Sequence, residues 1–455
     1  MNSNTNTKSR SMDMVNGPLI KNIFIFAMPL MVTYLLQIAF NAADQMVVGK
    51  FCGEKALAAV GVCLPLVNLL VSLFNGLSTG ANIIIAVQLG KNEKEGIRDA
   101  VHTCFFVALA GGAILTLLGF FLSGPLLRFM GTPEDIIDKS ISYMIIYFLG
   151  SIPLTVYTFG AAILRAKGDT LRPAIYLSVA GVLNVILNIL FVVGFKMDVE
   201  GVALATIISE ALSAVLITIL LIKENDEMKL YLNKIKPNPQ HLASILKIGI
   251  PAGCQGMLWT VSNIAIQSSI NIFGSVAVAG NSAAQNIENF CYVGMQSFSQ
   301  GITTFTSQCA GAGEPKKIRK LLYVFSALTS AITFALGYMF YKFGPFFLGF
   351  FTDSPEVIEA GMIRMFYVVF FLWINALLDI PALSMRGMGY STTPVIAMLL
   401  GIVGVRLLYI ATVFRAHKDL PTLYLCFPIS WVIATIVLFL MWEIKFKDFN
   451  KKLAA

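Results

Sequence analysis

Apolar windows of about 20 residues, the length that crosses the hydrocarbon core of a bilayer, recur twelve times along this chain. They start near residues 20, 56, 100, 138, 171, 200, 244, 277, 318, 359, 393 and 421. Each predicts a membrane helix, because a spanning segment must satisfy its backbone polar groups internally. The pattern is also written twice. Gly80 to Arg98 returns 221 residues later as Gly301 to Arg319, with its glycines, a glutamate and the closing Ile-Arg pair in register. The same offset aligns Arg165 to Pro173 with Arg386 to Pro394, and an offset larger by one aligns Pro29 with Pro251. Six windows fall in each repeat. An even number returns the chain to its starting side, so the halves share one orientation about an axis along the membrane normal, an arrangement typical of transporters. The expected organisation is a tail at 1–19, an N-lobe at 20–222, a linker at 223–243, a C-lobe at 244–442 and a tail at 443–455.

Composition and charge agree with an all-α polytopic membrane protein. Hydrophobic residues make up 57% of the chain and charged residues 13%, too few to coat a soluble globule. About 23 of the 33 Lys+Arg fall in the tails and alternate loops that would then be cytoplasmic, and about nine in the opposite loops. Both termini are therefore expected in the cytoplasm, and the net charge of +8 reflects topology, not nucleic-acid binding. No cleavable leader precedes the first window. The cysteines and histidines have no metal-binding spacing, with His102, His241 and His417 all near predicted loops, and no P-loop is present. No cofactor is expected.

The chemistry should lie where polarity is costly. Helix 1 carries Gln37, Asn41, Asp44 and Gln45 at helical spacing, and an intramembrane carboxylate such as Asp44 marks a function unless it caps the helix end. Asn184 and Asn188 lie one turn apart in helix 5, able to coordinate a cation or to join helices. Polar stripes also mark helix 2, through Asn68, and helix 7, through Gln255 and Asn263. Glu210, Glu288 and Asp379 sit inside apolar windows, as cavity residues or as ion-pair partners. Arg406 is read as a snorkelling or paired arginine and as the one clear mid-helix arginine. Pro29 and Pro251 occupy equivalent places in the two repeats, where each removes a backbone hydrogen bond and lets a helix bend.

From about residue 20 to 445 the chain resembles the multidrug and toxic compound extrusion (MATE) family. The resemblance rests on Pro29 to Asp44 with Val47-Val48-Gly49, on Gly80 to Arg98 and its twin, on Arg165 to Pro173 and on Gly201 to Thr206. It implies two six-helix lobes forming a V and export of small amphipathic organic cations in exchange for H⁺ or Na⁺. Asp44 matches the helix 1 aspartate that takes the coupling ion, and Asn184 and Thr206 match further members of that cluster. Asn188 stands where many relatives carry a second aspartate. Trp259 and Asn375 stand near the acidic positions of another branch, so the chain resembles the DNA-damage-inducible type more than that branch. Gln37, Asn41, Asn68, Gln255, Trp259, Glu288, Asn375 and Asp379 are candidates for the substrate cavity. The expected protein is a monomer in the cell membrane. A lipid-precursor flippase is the alternative, disfavoured here because Arg406 alone supplies mid-helix basic charge. An intramembrane enzyme or a receptor fits less well, since no nucleophile pair, metal motif or soluble domain is visible.

Overall fold

The computed structural model describes residues 12–454, without the side chains of residues 257–261, 264 and 454. Among these residues there is no strand, and the chain runs as twelve long helical stretches with two short ones, Leu232–Lys234 and Gly344–Leu348, between them. The long ones are α1 (Leu19–Cys52), α2 (Glu54–Lys91), α3 (Lys94–Phe129), α4 (Glu134–Leu149 and Ser151–Ala166, bent by 47°), α5 (Leu171–Gly194) and α6 (Val199–Lys223). The second series is α7 (Pro239–Asn271), α8 (Gly274–Gly311), α9 (Pro315–Lys342), α10 (Pro355–Gly387), α11 (Thr392–Phe414) and α12 (Leu420–Leu453). Nine are apolar and long enough to cross a membrane by themselves, and the bent α4 makes a tenth. The other two, α7 and α8, are the ones whose polar residues dilute the apolar run.

Two compact units result, Met1–Leu246 and Lys247–Ala455, and the boundary falls inside α7. In the first unit α3 packs on α4, α5 on both α1 and α6, and α4 on α2 and α6. In the second, α8, α9 and α10 pack mutually, and α12 closes against α10 and α11. Large apolar side chains also point outward, such as Ile20, Met28 and Val32 on α1, Phe120 and Phe121 on α3, and Leu440 and Ile444 on α12. On a water-soluble protein such a surface would aggregate; on a polytopic one it faces lipid. Pro29 and Pro251 both lie inside uninterrupted helices.

The segment between α6 and α7 is held to the N-terminal end of α3. Met228 and Leu230 are buried, and Leu230 N–H donates to the Leu221 carbonyl. His102 is therefore a buried clamp and not a loop residue. Its Nδ1 donates to the Arg98 carbonyl at 2.7 Å, which leaves Nε2 to accept from Tyr231 N–H at 3.1 Å. Asn238 adds bonds to Thr103 and Asp99. Lys94 bonds Glu227 at 2.8 Å and holds its carboxyl below the usual range, so this contact is present at neutral pH and is lost as pH falls through that lowered value. His102→Ala would orphan Tyr231 N–H, at a cost of about 1–3 kcal/mol. Limited trypsinolysis should then cut faster after Lys229 and Lys234; an unchanged cutting rate would show the clamp to be idle.

Candidate functional site

Polar side chains from three helices meet near one end of the first unit. Asn188 Nδ2 donates to Asp44 Oδ1 at 2.5 Å and to Asn184 Oδ1 at 3.1 Å. Asn184 Nδ2 reaches Thr206 Oγ1 at 3.4 Å, and that hydroxyl donates to the Val202 carbonyl. The result is a continuous polar chain from α1 through α5 to α6. Asn184 and Asn188 are buried, and Asn188 Oδ1 has no hydrogen-bond partner. Local sequence explains the approach. Gly181, one turn before Asn184, has no side chain because the Phe40 ring occupies the space a Cβ would need. That contact brings α1 against α5 so that Asp44 meets Asn188. Asp44 and Asn188 each come just before a π-helical turn, Val48–Cys52 and Leu190–Gly194, a feature frequent at functional sites. Gly181→Ala should force Phe40 aside and separate Asp44 from Asn188. In that variant the distance between spin labels on α1 and α5 is expected to lengthen without loss of folded protein, and an unchanged distance would show that the contact does not set the site.

Two tyrosines of α4, Tyr143 and Tyr147, feel both Asp44 and Glu210. Glu210, the carboxyl of α6 one turn beyond Thr206, therefore acts on the same two tyrosines as Asp44.

The second unit holds a cavity of about 340 Å³. Its lining includes Gln255, Glu288, Asn375 and Asp379, four of the candidates, together with Tyr292 and Phe427. The remaining candidates do not join them. Gln37, Asn41 and Asn68 are exposed positions of the first unit. Trp259 lies outside the described residues.

Arginines correct the reading of the cavity further. Three line it, Arg364, Arg386 and Arg406, where one was expected. Arg406 does not snorkel: it is buried, its Nε donates to Ser430 Oγ at 3.1 Å, and its guanidinium lies 4.3 Å from the Phe427 ring centre. Arg364 lies near the start of the apolar window read from 359. In the structure it is buried in α10, and its Nε and Nη2 grip Glu288 Oε2 at 3.1 and 2.6 Å. Its Nη1 bonds Asn281 Oδ1 at 2.7 Å, an oxygen that also accepts from Tyr424 at 3.0 Å. Gly280 and Gly361 permit this, since a Cβ on Gly280 would lie 2.7 Å from the Gly361 nitrogen. α8 and α10 thus touch by backbone one to two turns from the ion pair. The one available signal was Glu288 itself, since a buried carboxylate calls for a cation.

Asp379 and Arg386 share the cavity and attract each other without forming a close ion pair. Arg386 Nη2 instead donates to Gln255 Oε1. Among the described residues no group of three His, Cys, Asp or Glu could hold a metal.

Comparison with known proteins accords with this architecture. The family model described as MatE matches residues 29–190 and 251–411, one match in each repeat. The chain is 30% identical to the probable multidrug resistance protein YpnP of Bacillus subtilis, over 80% of this chain and 81% of that one. It is 26% identical to the probable multidrug resistance protein YoeA of the same organism, over 92% of each. Among solved structures, a MOP superfamily transporter from Pyrococcus furiosus, described as having a binding pocket of reverse polarity, has the same fold. The TM-score is 0.89 at 22% identity, covering 97% of this chain and 99% of that chain.

Proposed function

Since this chain belongs to the MATE family of multidrug efflux transporters, we propose that it is an antiporter exporting amphipathic organic cations in exchange for H⁺ or Na⁺, with Asp44 taking the ion. The observation that carries this reading is the bond from Asp44 to Asn188 and onward to Asn184 and Thr206. A carboxylate inside an apolar helix requires a counter-charge or a proton, and the amide donors around it are neutral. Asn188 can serve either state. Its NH₂ donates to the ionised carboxylate, and after an amide flip its carbonyl can accept from the protonated one or share a Na⁺.

Ion occupancy then acts on helix packing. The charge-assisted bond between Asp44 and Asn188 links α1 to α5 and weakens when Asp44 is neutralised. Pro29 lies in the same α1 and lacks the backbone bond that would stiffen it. Neutralisation at Asp44 and bending at Pro29 together shift the balance between two openings, while the substrate favours the opposite one. Ion and substrate need not touch for exchange, because each biases one shared equilibrium.

The reading includes a monomer in the cell membrane with both termini cytoplasmic, supported by the basic loops. Ethidium efflux from energised cells, with the proton and sodium gradients collapsed separately, tests it. Efflux that stops with one gradient names the ion. Efflux indifferent to both would remove the antiport reading, since no ATP-binding loop is present to drive transport.

A further inference from the structure

The cavity of the second unit is not the one an organic cation would choose. Its lining carries three guanidinium groups, Arg364, Arg386 and Arg406, against two carboxyls, Glu288 and Asp379. All of these except Asp379 are buried. Tyr292 of the same lining feels four of them, Glu288, Arg406, Asp379 and Arg364, at once. Of the two carboxyls, Glu288 is not free for a cationic ligand. Glu288 is gripped by two nitrogens of Arg364, and Asp379 stands under the attraction of Arg386.

The unused capacity is that of a donor. Arg386 is 7% exposed, its Nη2 bonds Gln255, and its Nε–H has no hydrogen-bond partner among the described residues. A bare guanidinium N–H, directed at a carboxylate or phosphate, gives a charge-assisted bond in the fork geometry that such anions match. Tyr292 and Phe427 add aromatic wall elsewhere in the same cavity. We infer that this cavity is an anion site, in which Arg386 anchors a carboxylate or phosphate carried on an apolar or aromatic body. The site lies in the other repeat from Asp44 and stands independently of the antiport reading.

Three probes with one apolar body decide the matter: 1-pyrenebutyrate, its methyl ester and pyrenebutyl-trimethylammonium. Their binding to the purified full chain is measured by fluorescence in phosphatidylcholine nanodiscs, with no ion gradient. The acid is expected to bind at least about tenfold more tightly than the ester, and the ammonium no better than the ester. Arg386→Gln should abolish the preference, and Arg386→Lys should keep part of it through charge alone. Asp379→Asn removes the opposing charge and should tighten the acid several-fold, a gain that a misfolded variant cannot produce. Nanodiscs containing phosphatidylglycerol separate two sources of the anion. Displacement of the acid by that lipid identifies a lipid headgroup as the occupant, and undisturbed binding identifies a dissolved amphiphile. Equal binding of acid and ester, or tighter ammonium binding, overturns the inference, as does an unchanged preference in Arg386→Gln. Since no gradient is involved, loss of gradient-driven export in cells and loss of acid binding here are separate results.

Discussion

Asp44→Asn should reduce gradient-driven efflux to the level of cells lacking the protein, while the variant still folds and reaches the membrane. The substitution keeps the side-chain shape, and its amide oxygen can still accept from Asn188 Nδ2, so the polar chain across α1, α5 and α6 persists. What disappears is the group that can change charge. Coupling between two ligands amounts to their differential affinity for two states, typically about 5–150-fold, and it vanishes when one ligand can no longer bind. Initial rates of ethidium efflux, compared at equal protein level, should fall by a factor in that range. Substrate binding at zero gradient should change much less. A variant that pumps as fast as the parent would remove Asp44 from the mechanism and shift attention to Glu210, the other carboxyl close to Tyr143 and Tyr147.

Glu288→Gln should have the largest effect on stability. Arg364 is buried and takes its only charged partner among the described residues from Glu288. Removing one member of a buried ion pair leaves an uncompensated charge and typically costs about 3–5 kcal/mol. The melting temperature in detergent should fall clearly. The double change Glu288→Leu with Arg364→Met should recover most of the loss, because no buried charge is then left unpaired. Tyr424 and Asn281, bonded at 3.0 Å in the parent chain, are expected to keep their bond in that variant. If the double variant is as unstable as the single one, packing around Arg364 and not its charge holds α8 to α10.

Length, period and repetition were enough to reveal the helices. A spanning segment must close its own backbone bonds, so about 20 apolar residues in a row leave the chain little alternative to a helix. Even α7 and α8, whose polar residues weaken the apolar signal, contain the windows read from 244 and 277. The polar faces were legible too, as Asn184 and Asn188 one turn apart show. Partners were not. Asp44 and Asn188 lie 144 positions apart, and their meeting depends on the bare face of Gly181 beneath Phe40.

The arginines mark the boundary most clearly. A lysine or arginine near the end of an apolar window reads as a topological charge facing water, and the chain alone offers no reason to treat Arg364 otherwise. Only the touching backbones of α8 and α10 at Gly280 and Gly361 bring that guanidinium to Glu288 and into the cavity wall. Hydrophobic spacing is a property of one helix and survives in a linear string. The sign of charge inside a cavity is a property of several helices at once, and it exists only when their rotations and contacts are set by packing.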